Sequence, residues 1–197
     1  MPSPYSKKKY SALTIRGQGG LLREIRTPIR VRVPLIIKGA AHNYVDVEAI
    51  WDTGATNCVI SNELASELDL KPISKKKVIG VHGEQVVDIF IVDFEIMGVT
   101  AENWTVSSGD LGGAISVLLG MDIIRTGDFS ITTEKDANGI LCTVFTFRYP
   151  SMEAPIDYRA EIDRYNFEVK SKQTNKNLRA EYSANRSSRR KKNHKRK

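Results

Sequence analysis

Asp52 stands at the end of an alternating apolar run and at the start of a glycine turn. The run is Val45-Asp46-Val47-Glu48-Ala49-Ile50-Trp51, and Thr53-Gly54-Ala55 follows the acid. A strand that delivers a carboxylate into such a turn sets it at the rim of a sheet. Gly54 has no Cβ, so another backbone can come close to the acid. A carboxylate so placed can take a proton from water or hand one to a carbonyl oxygen. The triplet alone is weak evidence. Asp, Thr or Ser, and Gly fall together by chance in roughly one chain in ten of this size, and Asp and Gly are common turn residues. The rest of the chain must supply the context.

The chain has 197 residues, a length that favours one domain with extensions, and its hydrophobic content of 41% supports a core. No apolar run approaches the length of a membrane span. Lys7-Lys8-Lys9 form a basic cluster, but Tyr10–Arg16 is too short and polar for a signal-peptide core. The chain therefore reads as soluble and cytoplasmic. Cys58 and Cys142 sit in apolar strand patterns, fit no metal-ligand spacing and read as reduced core residues. His42, His82 and His194 are scattered, so neither a metal site nor a cofactor is expected. The net charge is +7, but residues 170–197 hold twelve Lys or Arg against the single acid Glu181. That stretch carries +11, which leaves −4 for residues 1–169.

The elements that must position Asp52 come next. Residues 1–27 read as an N-terminal extension in which Leu13-Thr14-Ile15 and Leu21–Ile25 can pair as strands around Gly17-Gln18-Gly19-Gly20. From Pro28, Ile29, Val31, Val33 and Leu35 alternate with Arg30, Arg32 and Pro34, and Pro34 argues for an edge or a bulge. Gly39–Asn43 is a turn, and Tyr44–Trp51 returns to Asp52. Ser61 is a good N-cap for a helix over 61–70, with Leu64 and Leu68 on one stripe and Pro72 as its stop. Val78–Val87 reads as a hairpin with glycines at its tip, followed by strands at 89–96 and 104–106. Ser107–Gly113 reads as a flexible loop and Ala114–Gly120 as a buried strand. Met121–Arg125 is one or two helical turns. Residues 129–133 and 141–147 pair across Asp136-Ala137-Asn138-Gly139. Many short strands with one or two short helices predict an all-β, small closed barrel over residues 28–150. Residues 151–169 read as a linker or helix, and residues 170–197 as a basic, disordered tail.

Three features stand in order: Asp52-Thr53-Gly54-Ala55, the glycine-tipped hairpin, and Leu118-Leu119-Gly120-Met121-Asp122-Ile123-Ile124. This order resembles the retropepsin-like aspartic proteases, the single-domain clan that includes retroviral proteases and bacterial and phage-type members. The likeness covers about residues 28–150. It implies that Asp52, Thr53 and Gly54 are the catalytic motif. It also implies that Ile79, Gly80, Val81, His82 and Gly83 form a flap. Ala55, Leu118, Leu119 and Gly120 would line the substrate site. Trp51 departs from the family, where a smaller aliphatic residue is usual, and so does His82, at a tip where small residues are usual. His82 alone reads as an exposed turn residue. Asp122, in the short helix, reads as a structural hydrogen-bonding residue rather than a second catalytic acid.

Amide hydrolysis by water needs a base for the water and an acid for the carbonyl oxygen. Two carboxylates about 3 Å apart that share one proton supply both. The chain holds one Asp-[Thr/Ser]-Gly, so this chemistry implies a homodimer with the second acid from a second copy. The partner is then a peptide or protein bound as an extended strand. An alternative is a non-catalytic dimeric module of the same fold. Its tail, residues 186–197, would bind nucleic acid through phosphate charge. No aromatic residue is interleaved with those charges, which argues against base stacking.

Overall fold

The computed structural model describes residues 10–80, 83–152 and 157–194. Two units separate along the chain, Met1–Met152 and Glu153–Lys197.

The first unit is built on a closed six-stranded barrel. Strand β2 (Arg26–Arg32) pairs with β3 (Val45–Trp51), and β3 runs parallel to β8 (Val117–Leu119). Strand β8 pairs with β4 (Val59–Ser61), which runs parallel to β7 (Val99–Gly109). Strand β7 pairs with β6 (Gly83–Ile96), and β6 returns to β2 to close the ring. The alternation expected at β2 decides its facing: Thr27, Ile29 and Val31 are buried, while Arg26, Pro28 and Arg30 are exposed. The core gathers Val31, Ile60, Val92, Phe94, Val106, Val117, Leu119 and Ile124.

The seam between β2 and β6 is pinned by charge. Asp93 is buried and faces Arg32 across the register. It accepts from Arg32 Nε at 3.0 Å and from the Asn103 amide at 2.8 Å. A shift of register between Val92 and Phe94 lets Asp93 turn inward without dropping either apolar neighbour from the core.

The remaining strands form a second sheet, in the order β1 (Ser11–Arg16), β10 (Leu141–Tyr149), β9 (Asp128–Lys135). Leu13–Ile15 therefore pair with β10 and not with residues 21–25. The register sets Leu13 opposite Phe147 and Ile15 opposite Phe145, a larger apolar gain than Leu21 and Leu22 offer, and both leucines stay exposed. The β9–β10 turn is closed by Asp136, whose Oδ1 accepts from the amides of Asn138 and Ile140.

Other boundaries moved. The alternation beyond Arg32 does not continue as strand. Val33 is buried, Leu35 is exposed, and the Ile37 amide donates to the Pro34 carbonyl in a turn. Helix α1 (Asn62–Glu67) carries Ser61 as N-cap, with the Leu64 amide on its hydroxyl at 3.1 Å. It ends before Pro72, where Asp69 takes a φ of 47°. The hairpin is longer than the sequence suggests: β5 (Ser74–Gly80) pairs with the first half of β6, and residues 89–96 continue the same strand. Residues 107–109, expected in a loop, finish β7 because Val59–Ser61 pair with them. Helix α2 (Met121–Ile124) is a single turn.

Among its described residues the second unit is one helix, α3 (Tyr158–His194), 37 residues long. Asp157 caps it by accepting from the Arg159 and Ala160 amides. The helix runs on through residues 170–194, where a disordered tail was expected. Neither Gly nor Pro interrupts Tyr158–His194, and Lys, Arg, Gln, Glu and Ala are good helix formers.

Candidate active site

Strand β3 carries Asp52 to the barrel rim, and its parallel neighbour β8 holds it there. In register, Ile50 lies beside Leu118 and Trp51 beside Leu119. One residue on, the Asp52 amide donates to the Leu119 carbonyl at 3.0 Å. The turn is closed from within: the Gly54 amide donates to Asp52 Oδ1 at 2.7 Å, and the Ala55 amide to the Asp52 carbonyl at 3.3 Å. The Met121 amide then donates to the Ala55 carbonyl at 2.8 Å. Asp52 and Ala55 are half-buried, while Thr53, Gly54, Thr56 and Asn57 are exposed. A carboxylate on an open turn with its backbone tied on both sides has one fixed position and free access from outside.

Gly120 is where the two segments touch. A Cβ there would lie 2.5 Å from the Asn57 carbonyl carbon, so only glycine lets the 119–121 segment pass under the turn. Leu119 is fully buried in the core. Its carbonyl, not its side chain, is the part that reaches Asp52. Leu118 is half-buried.

Behind the turn, Asp122 accepts four bonds. Oδ2 takes the Cys58 amide at 3.1 Å and Trp104 Nε1 at 3.0 Å. Oδ1 takes Cys58 Sγ and the Ile123 amide, each at 3.0 Å. Cys58 Sγ in turn accepts from the Gly120 amide at 3.3 Å. Burial pushes the Cys58 thiol well up, and the Asp122 carboxylate that accepts its proton adds to the shift. Cys58 is thus a protonated core group. Asp122 is saturated with donors, as its reading as a structural residue requires. The part played by Trp104 was not legible in the sequence, because no local pattern couples it to Asp122.

Trp51, the bulky residue before the acid, ties the two sheets together. Its indole Nε1 donates to Thr27 Oγ1 at 2.9 Å. Its ring packs at 5.2 Å from Phe145 and 4.7 Å from Phe147. Against Phe145 and Phe147 of the second sheet, the Trp51 ring fills space that a small residue would leave empty.

The hairpin β5–β6 stands apart from this network. Ile79 pairs with Glu84 and Gly80 with Gly83, and Gly83 has a φ of +93°. Ile79 is 83% exposed. Val81 and His82 lie outside the described residues. Among the described residues no hydrogen bond joins Ile79, Gly80 or Gly83 to the Asp52 turn, and no cluster of His, Cys, Asp or Glu could hold a metal ion.

Residues 33–123 match the aspartyl protease family. This segment holds the Asp52 turn, the hairpin and the Leu118–Ile123 segment. A search of curated proteins finds no match. Among solved structures, a retropepsin-like aspartic protease from Rickettsia conorii is similar at 18% identity and a TM-score of 0.43, over 71% of this chain and 95% of that one. The EIAV protease, complexed with the inhibitor HBY-793, is similar at 17% identity and a TM-score of 0.39, over 62% and 92%. The Simian Foamy Virus (mac) protease is similar at 25% identity and a TM-score of 0.33, over 49% and 89%. The family match spans residues 33–123, a little under half of the chain.

Proposed function

We propose that the protein is an aspartic endopeptidase whose site forms between two copies of the chain, each giving one Asp52. The observation that carries the reading is one exposed Asp-Thr-Gly turn per chain, held by β8 at the barrel rim. One Asp52 carboxylate accepts a proton from water as the oxygen attacks the peptide carbonyl. The other, protonated, donates to the carbonyl oxygen. The tetrahedral intermediate then loses the C–N bond, and the leaving nitrogen takes a proton from the pair. In this reading exposed Thr53 and Gly54 meet their counterparts in the second copy, and Gly54 leaves room for the substrate backbone. The hairpin tip, residues 79–83, closes over a peptide bound as an extended strand. Ala55 and half-buried Leu118 flank it, and Leu119 and Gly120 act through their backbone. Free, buried Cys58 and Cys142 suit a reducing, cytoplasmic setting.

Peptide cleavage by wild type and by Asp52→Asn tests this reading. Asn keeps the size and cannot carry the proton, so cleavage should vanish while the fold and the two-copy state survive. Cleavage by Asp52→Asn at the wild-type rate rejects the aspartic mechanism.

One observation favours a second reading, a binding module with a nucleic-acid tail: twelve Lys or Arg in residues 170–197. A salt-dependent mobility shift on mixed RNA or DNA, lost on truncation after residue 169, separates it from the first.

A further inference from the structure

Helix α3 carries an apolar stripe at its N-terminal end. Tyr158, Ile162, Tyr165 and Val169 follow at steps of four, three and four residues. That is the seam spacing of a two-stranded coiled coil. All four are between 46% and 63% exposed. The next seam positions are Lys172, Lys176 and Arg179, where like charges would face each other across a pair of helices. The stripe is therefore about two heptads long and ends at Val169. Phe167, 73% exposed, lies on the other side of the helix.

We propose that this stripe pairs with the same stripe of a second copy of the chain. The pairing rests on the two-copy reading of the active site, which already requires a partner of identical sequence. The area explains why it needs that help. Four such side chains bury roughly 400 Å² per helix, so a pair of stripes buries about 800 Å². A stable interface buries about 1,200 Å² or more, so the stripes alone would not hold two chains together. Two copies that meet at Asp52 hold their helices at an effective concentration on the order of millimolar, where a short seam adds to the association. The seam then strengthens the active two-copy state without touching the substrate.

Sedimentation equilibrium and peptide cleavage on the full-length chain test this. The variants are Ile162→Glu with Tyr165→Glu, Phe167→Glu, and Asp52→Asn. The double variant should weaken the two-copy state at least tenfold and regain wild-type cleavage when concentrated. Phe167→Glu and Asp52→Asn should associate as wild type. Unchanged association of the double variant overturns the pairing and leaves the Asp52 mechanism standing. So does a loss of association by Phe167→Glu equal to that of the double variant. A double variant whose monomer melts at a lower temperature shows that the stripe covers its own chain, which also overturns the pairing. A wild type that is monomeric at full activity overturns the pairing and the two-copy site together.

Discussion

Trp104 Nε1 and the Cys58 amide share one acceptor, Asp122 Oδ2, at 3.0 and 3.1 Å. One half-buried carboxylate thereby joins β7, the chain entering β4 and helix α2 at a point directly behind the Asp52 turn. Asp122→Ala should cost about 3 kcal/mol, because it strands the Cys58 amide, the Cys58 thiol and the Trp104 indole N–H at once. Trp104→Phe should cost about 1 kcal/mol. Urea unfolding of the two single variants and the double variant measures the coupling. A double variant whose loss equals the sum of the singles would show that the indole and the carboxylate act independently.

Cys58 should behave as an inert core thiol. Its ionisation is pushed up in the folded chain, whereas in the unfolded chain a thiol ionises near pH 8.5. The unfolded state therefore gives up its proton first. This contribution to stability is complete below about pH 8.5 and declines as pH rises above it. Alkylation of the native protein at pH 8 should leave Cys58 unmodified, and denaturant should expose it. Rapid modification in the native state would contradict the assigned burial. Cys58→Ser should remove the pH 9–10 component of the stability loss.

Much of this candidate site was legible in the sequence. Asp52 and Gly54 sit in a local pattern, and local patterns survive in one dimension: an alternating strand, an acid, a glycine. The same holds for Ser61 as a cap and for the Asp136–Gly139 turn. What stayed hidden depends on distant pairs. Sequence cannot show that Ser11–Arg16 joins β10 across more than a hundred residues, because Leu21–Ile25 offers an equally plausible strand nearby. Trp51 looked like a departure for the same reason, since Phe145 and Phe147, its packing partners, lie almost a hundred residues on. The end of β2 was misplaced because Leu35 keeps the period of two although Pro34 has already turned the chain. For α3, composition argued against a packed core and was silent on whether an exposed stretch without Gly or Pro takes helical form.

Two glycines should answer differently to the same substitution. Gly120→Ala puts a Cβ 2.5 Å from backbone that cannot step aside, and should cost about 3 kcal/mol while dislodging the Asp52 turn. Gly83→Ala meets no atom within 4 Å but must hold a φ of +93°, a strain of about 1–2 kcal/mol confined to the hairpin. The first should lose both stability and cleavage. The second should keep its thermal melting within a few degrees and still lose cleavage, if the hairpin is a lid. Full cleavage by Gly83→Ala would mean that residues 79–83 do not close over the substrate.

Mixing two forms of the chain tests the shared site most directly. Wild type and Asp52→Asn differ at one half-buried side chain of nearly the same size, so they should exchange subunits freely. If each site needs Asp52 from both copies, a mixed pair is dead. An equimolar mixture then holds about a quarter of its pairs as wild type with wild type, because random pairing squares the wild-type fraction. Cleavage per mole of site should fall to that quarter after exchange, and further as Asp52→Asn is added in excess. If a single Asp52 suffices, mixed pairs stay active, and activity should never fall below half in the equimolar mixture. Dilution supplies the independent check. A site made by two chains loses specific activity below the dissociation constant of the pair, while a site complete in one chain keeps it. Linear dilution of activity in the mixture, together with constant specific activity at nanomolar protein, would place the whole site within one chain. The second acid would then have to come from some other carboxylate than a second Asp52.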